Sequence, residues 1–395
     1  MNKISIINRV KYSKQLYALY YHIGCLSIRL LKLFLKTDDK LIVFSSFGGR
    51  KYDDSPKSIY EAMLEDSRFN DCKLVWAFIN PENYELNRGK KVKIDTLEYY
   101  KTLLKARIWV TNSSMTRGLN FTAKNAFQLN SWHGSAIKRM GDDINNGNSS
   151  FGKKVKVEQK GVMLAQGIYD MEVFSHAFNI PKENFRMIGL PRNDVLAQTT
   201  RDKQTELKIQ LGIPREKKAI LYAPTFREYD KDGGNNVIMT PPIDFKVWEE
   251  RLSNDYVLLF RAHYEVAKMM GVVDSNFLKN VSTYPSLNDL MLASDMLISD
   301  YSSIFFDYAI QGKPMLCYCY DYDKYAEERG VYFDIREWLP SATNENDLLS
   351  IISSTVTDNN NDLTKRFQRK FVTEYGHATE KSLEIIYEQL QKNYE

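Results

Sequence analysis

The stretch NSWHGSAIKRMG, residues 130–141, places one of only five histidines in the chain between an aromatic residue and a glycine, at the exit of a predicted strand. An imidazole with an ordinary pKa of ~6.5 is the side chain best suited to take a proton from an attacking hydroxyl near neutrality, which makes His133 a candidate general base. Gly134 lets a backbone or a ligand come close. Lys138 and Arg139 fall on what the pattern makes the first turn of a helix, a poor place for cations unless an anion lies between them. A histidine satisfied in the core beneath Trp132 is the other reading of the same residues.

A second constellation lies in LISDYSSIFFDYAIQG, residues 297–312. Leu297, Ile298 and Ser299 end a strand, and Ser302 or Ser303 can cap the helix that follows. Two hydroxyls and the first backbone N–H groups would then converge above the carboxyl edge of a sheet, where a nucleotide pyrophosphate fits. An ordinary serine cap is the alternative. Asp300, Tyr301 and Asp307 flank the serines without being needed for capping and are taken with them as donor-binding candidates. YAPTFRE (222–228) and FRAH (260–263) end the two preceding strands, so Pro224, Thr225, Phe226, Arg227, Arg261 and His263 are expected at the same crevice, with arginine forking phosphate oxygens. The DYD at 321–323 is read as a loop rather than a metal motif, and Asp142 and Asp143 as solvated; no metal-ligand motif, P-loop or nucleophile elbow is present.

The elements that would hold these residues alternate strand with helix. KLIVFSSFGG, KLVWAFI, KKVKI, ARIWVTN, NAFQLNSW and GVMLAQ read as short buried strands, separated by helices such as 97–105 and 168–178. A polar crossover at 197–218 leads to a second series: strand KKAILYAP, a helix near 244–253, strand YVLLFRAH, a short strand near 281–284, a helix at 286–294, and then strand, helix and strand. This is the signature of doubly wound parallel sheets. At 395 residues two lobes are expected, since single cores stop growing near ~250–300 residues. The expected division is 1–36, a basic amphipathic segment; 37–196, the first lobe; 197–362, the second; and 363–395, a helical tail long enough to span both.

Composition narrows the class. A formal charge of +4, with no Lys/Arg-rich tract, argues against nucleic acid, and four scattered cysteines indicate neither a zinc site nor a disulfide framework. Charge is uneven, however: residues 1–37 hold no carboxylate, while Leu16, Leu19, Tyr20, Ile23, Leu26, Leu30, Leu33 and Phe34 recur at helical spacing. Arg29 and Lys32 interrupt the apolar run before it could cross a bilayer. Such a helix either lies in an anionic leaflet or packs its leucine face on the first lobe.

Six ordered motifs, FSSFGGRKYDDSPKSIYEAML, NSWHGSAIKRMG, GLPRNDVL, ILYAPTFRE, RAHY and the stretch from ISDYSS to GVYFD, make residues 41–335 resemble the CDP-glycerol glycerophosphotransferase family of teichoic-acid and capsule synthesis. The resemblance implies an α/β fold of GT-B architecture, two Rossmann-like lobes facing across a cleft, with the nucleotide on the C-terminal lobe and a C-terminal helix crossing back. It also implies peripheral attachment to the cytoplasmic face of the membrane. CDP-glycerol would be the donor, a lipid-linked saccharide or polyol phosphate the acceptor, and CMP the product. No tightly bound cofactor is implied, although free Mg2+ can accompany the nucleotide. Both motif histidines are essential in that family, which makes His133 the expected base and His263 with Arg261 the expected stabilisers of the phosphate. Ser302, Ser303 and the helix start behind them would hold the pyrophosphate, Pro224 to Arg227 would frame the cytidine, and Gly134 and Lys138 are counted among the donor-binding residues. A chain starting close to its basic helix suits a priming enzyme or compact polymerase. The rivals are a ribitol-phosphate transferase using CDP-ribitol, a GT-B glycosyltransferase using a nucleotide sugar, and an inactive membrane-bound scaffold.

Overall fold

The computed structural model describes residues 13–144, 160–225, 231–232, 235–236, 240–262, 264–357 and 362–392. Its first sheet contains β1 (Asp38–Ser45), β2 (Lys73–Phe78), β3 (Lys90–Lys93), β4 (Ala106–Thr111), β5 (Phe127–Asn130), β6 (Gly161–Ala165) and β7 (Phe185–Met187), in the order β3-β2-β1-β4-β5-β6-β7. The second lobe begins with β8 (Lys218–Tyr222). A two-residue antiparallel pair follows, β9 (Lys231–Asp232) with β10 (Asn235–Asn236), and then β11 (Tyr256–Phe260), β12 (Leu278–Asn280), β13 (Met296–Ser299), β14 (Met315–Tyr318) and β15 (Ser341–Ala342). The second sheet runs β12-β11-β8-β13-β14-β15.

Every ladder in both large sheets is parallel, so both faces of each must be covered, and the strand side chains divide accordingly. In β1, Ile42 and Phe44 enter the core that contains Leu383 and Ile386, while Leu41 and Val43 enter the opposite one with Cys25 and Ile28. In β8, Ala219 and Leu221 face one cluster, and Ile220 and Tyr222 the other. Each sheet reverses its winding at one point, between β1 and β4 and between β8 and β13, and loops at those points bound the natural ligand crevice.

Three expectations change in detail. The strand near 281–284 lies earlier, at β12, because residues 281–284 close into a turn with Tyr284 N donating to Val281 O at 3.1 Å. Residues 137–140 form no helix; they pair as an extended segment with the second lobe. The tail is two helices, Asp362–Phe371 and Ala378–Gln391, separated by a link in which Thr373 N and Glu374 N both donate to Gln166 O and Gly376 takes φ +89°. Phe367 and Phe371 join the second lobe's core and Leu383 and Ile386 the first's.

The N-terminal helix, Lys14–Phe34, turns its leucines outward, opposite to the packing alternative. Cys25 (6% exposed) and Ile28 (3%) join the core, with Tyr21, Leu31 and Leu35 against it. Gly24 lies so close to Leu119 that a Cβ there would stand 2.8 Å from its Cδ2. Leu33 and Phe34 are 76% and 83% exposed, and Leu16, Leu19, Ile23, Leu26 and Leu30 share that open side. Among the described residues no helix is long and apolar enough to cross a membrane.

Candidate active site

The loops after β1, β4 and β5 build one wall of the cleft. His133 follows β5, and its Nδ1 lies 2.9 Å from the carbonyl oxygen of Asn112, the residue that follows β4. A carbonyl only accepts, so Nδ1 carries the proton and Nε2 keeps its lone pair. The ring stacks on Trp132 (centroids 4.2 Å apart) and lies 5.8 Å from Phe47, yet it remains exposed on its open side and is no sealed core histidine. Burial by these neighbours holds its pKa below the ordinary value, against raising contributions from the Asn112 carbonyl and Asp54. Asn112 also accepts at Oδ1 from Phe47 N at 2.7 Å, linking both loops.

Beyond His133 the chain crosses to the second lobe. Gly134, at φ +142°, lies against the start of the helix Ile304–Ala309: a Cβ there would meet Ser303 Oγ at 2.7 Å, so only glycine allows this approach. Ile137 is buried in the second lobe's core. Lys138 bridges antiparallel to Val331, and Arg139 N donates to Gly330 O at 3.0 Å. Lys138 therefore lies on an extended inter-lobe segment rather than a helix turn.

The opposing wall comes from β8, β11 and β13. Asp300 accepts from Thr225 N at 3.0 Å, from the Thr225 hydroxyl and from Tyr301 N at 2.7 Å, fastening the loop that carries Pro224 and Thr225 to the one that carries the serines. Ser302 Oγ accepts from Ile304 N at 3.3 Å, whereas the Ser303 hydroxyl makes no cap bond and faces Gly134. Arg261 Nη1 donates to Val281 O at 3.2 Å and Tyr284 O at 2.7 Å; burial lowers its pKa, and Asp53 of the first lobe opposes that shift. Part of the guanidinium is thus committed to its own lobe. His263, Phe226 and Arg227 lie outside the described residues.

Two donor-binding candidates serve the frame instead. Tyr301 is buried, its hydroxyl donating to Asp321 Oδ1 at 3.0 Å and its ring stacking on Tyr325 at 4.0 Å. Asp307, 4% exposed, accepts from Arg192 Nη2 at 2.9 Å and Asn193 Nδ2 at 2.6 Å. Arg192 also donates through Nη1 to Asp54 Oδ2 at 2.7 Å, so one guanidinium joins a carboxylate from each lobe. Of the DYD at 321–323, Asp321 lies in the turn before the helix Tyr322–Arg329, whereas Tyr322 and Asp323 fall in its first turn rather than in a loop. Asp143 is not simply solvated, since it accepts from the Tyr332 hydroxyl at 2.6 Å and contacts His176. Among the described residues no three His, Cys, Asp or Glu side chains converge as metal ligands.

Residues 27–388 match the family described as CDP-glycerol:poly(glycerophosphate) glycerophosphotransferase. The chain belongs to this family. It is 31% identical to the teichoic acid glycerol-phosphate transferase of Staphylococcus aureus over 90% of this chain and 95% of that one. It is 35% identical to the teichoic acid poly(glycerol phosphate) polymerase of Staphylococcus epidermidis over 76% of this chain, but spans only 43% of that protein. A variant of the wall teichoic acid polymerase TagF soaked with CDPG superposes with a TM-score of 0.78 at 31% identity, covering 90% of each chain. The two Rossmann-like lobes are the GT-B architecture.

Of the residues that build this glycerophosphotransferase cleft, sequence reasoning missed Asn112, Asp54 and Arg192. GLPRNDVL stood out as a motif without a role for its arginine. The backbone adds another mark: Phe47, Asp54 and Trp132, around His133, all have positive φ (+48°, +63°, +50°), strain of a kind that clusters at functional sites.

Proposed function

We propose that this glycerophosphotransferase moves glycerol phosphate from CDP-glycerol to a hydroxyl of a lipid-linked acceptor at the cytoplasmic face of the membrane. The acceptor oxygen bonds to the donor's β-phosphorus, the bond from that phosphorus to the oxygen bridging to the α-phosphate breaks, CMP leaves, and the hydroxyl proton passes to His133 Nε2. The protein's share is positioning and charge neutralisation, as in other phosphoryl transfers. In this reading the first lobe, 37–196, takes the acceptor and the second, 197–362, the nucleotide, with residues 363–395 tying them. Ser302, Ser303 and the free edge of Arg261 hold the pyrophosphate, joined by His263; Pro224 to Arg227 frame the cytidine. Mg2+, where present, arrives with the nucleotide. The observation that carries the reading is the approach of Gly134 to Ser303, which sets the imidazole wall and the serine wall against each other.

The outward leucine stripe and the carboxylate-free run 1–37 support peripheral attachment to an anionic leaflet. The test is CMP release by the pure protein from CDP-glycerol and CDP-ribitol, with a lipid-linked disaccharide and with its glycerol phosphate-primed form. Release from CDP-glycerol is expected. Release from CDP-ribitol alone would reassign the polyol, and failure with both, alongside turnover of a nucleotide sugar, would reject the reading.

A further inference from the structure

The outward-facing helix and His133 are joined by a short run of contacts lined with cations. Tyr17 and Tyr20, on Lys14–Phe34, donate their hydroxyls to Gly118 O at 3.4 Å and Arg117 O at 3.3 Å. Arg117 is itself held in a left-handed conformation, φ +57°, and binds Asp95 through Nε (2.9 Å) and Nη2 (3.0 Å). Its third nitrogen, Nη1, has no bond among the described residues and points at the next loop, where a Cβ on Gly48 would lie 3.8 Å away.

That loop is a built feature. Ser46 and Lys51 pair across it, and Phe47, Gly48 and Gly49 take φ +48°, +63° and +81° in succession. Phe47 N and Gly48 N are fixed by Asn112 Oδ1 (2.7 Å) and Ser113 Oγ (2.9 Å). It holds the Phe47 ring 5.8 Å from His133 and the Lys51 ammonium 5.4 Å from Phe47. Neither Lys51 nor Arg50 has a carboxylate partner among the described residues. The carboxylates nearby are engaged: Asp95 by Arg117, and Asp53 by the Asp54 backbone, to which it is a cap at 2.8 Å.

We propose that Lys51 and Arg117 Nη1 form an acceptor subsite for a phosphodiester or pyrophosphate group, the anionic part of the acceptor that precedes its reacting hydroxyl. The subsite guides that group from the membrane-facing helix to His133. This rests on the transferase reading. Charge-assisted contacts to a phosphate are the strong kind, and an unpaired cation beside a fixed turn recognises it without a conformational search. In the transferase reading the donor lies on the other wall, away from these side chains.

The test varies acceptor and donor separately in the full chain. With a lipid-linked acceptor already primed with glycerol phosphate, Lys51→Ala, an exposed change, raises the acceptor KM about tenfold, the loss of one charge-assisted hydrogen bond. Lys51→Ala/Arg117→Ala raises it further, and the donor KM stays within about twofold. In parallel, calorimetry with synthetic oligo(glycerol phosphate) and no donor gives the same order of affinities and a salt slope that is smaller in the variants. An unchanged acceptor KM and unchanged oligomer affinity in Lys51→Ala, or equal rises in donor and acceptor KM, would overturn the subsite. Absence of CMP release in the unaltered protein would instead strike the transferase reading, and the calorimetric arm still decides the subsite.

Discussion

At His133 the proton balance follows from one hydrogen bond. The Asn112 carbonyl fixes the protonated nitrogen at Nδ1, which leaves the Nε2 lone pair available for the proposed base role, and burial lowers the pKa, so the neutral form holds through a wider range on the acid side. The imidazolium cannot accept a proton, so kcat/KM falls as pH drops through that lowered pKa. The acid limb is expected below about 6.5 and is absent from His133→Ala, which loses about 10²–10⁴-fold in kcat. An acid limb well above that value, or a variant with near-normal kcat, would contradict the role. His133 is conspicuous in the sequence because histidine is scarce and Gly134 follows it. Asn112 is not, since an asparagine after a strand is ordinary until the fold brings it under the ring. Tyr301 and Asp307 misled for the converse reason: their neighbours in sequence face the cleft, but their own side chains turn into the frame.

Among elements, the strands were readable from buried β-branched and aromatic runs, and the joins between lobes were not. The segment after Gly134 carries a helix-like spacing of apolar and basic residues but is drawn out by pairing with residues 330–332, a tertiary demand no local pattern records. Arg192 is the clearest join. Buried between Asp54 and Asp307, its replacement by alanine strands two carboxylates, and a loss of about 3–5 kcal/mol is expected from the denaturant midpoint. Arg192→Lys, with a single point charge in place of a fork, should recover part of this. A loss for Arg192→Ala no larger than the roughly 1 kcal/mol of a surface ion pair would show that the lobes are held elsewhere.

For the whole molecule, each sheet reverses its winding once, Gly134 beyond one sheet meets Ser303 beyond the other, and the tail lends Phe371 to one core and Ile386 to the other. The same assembly leaves one helix face uncovered. Leu26→Glu/Leu30→Glu, at residues 58% and 52% exposed, should leave the thermal midpoint unchanged and abolish co-sedimentation with anionic vesicles, while the unaltered chain binds and is released by salt. Retained binding by the variant would assign that face another partner. The central claim, an imidazole on one wall served by a phosphate cradle on the other, is tested most directly by a crystal structure of His133→Ala with CDP-glycerol. The account predicts the pyrophosphate within hydrogen-bond reach of Ser302 or Ser303 and the β-phosphorus facing position 133. A nucleotide seated on the first lobe, or a β-phosphorus turned away from that position, would contradict it.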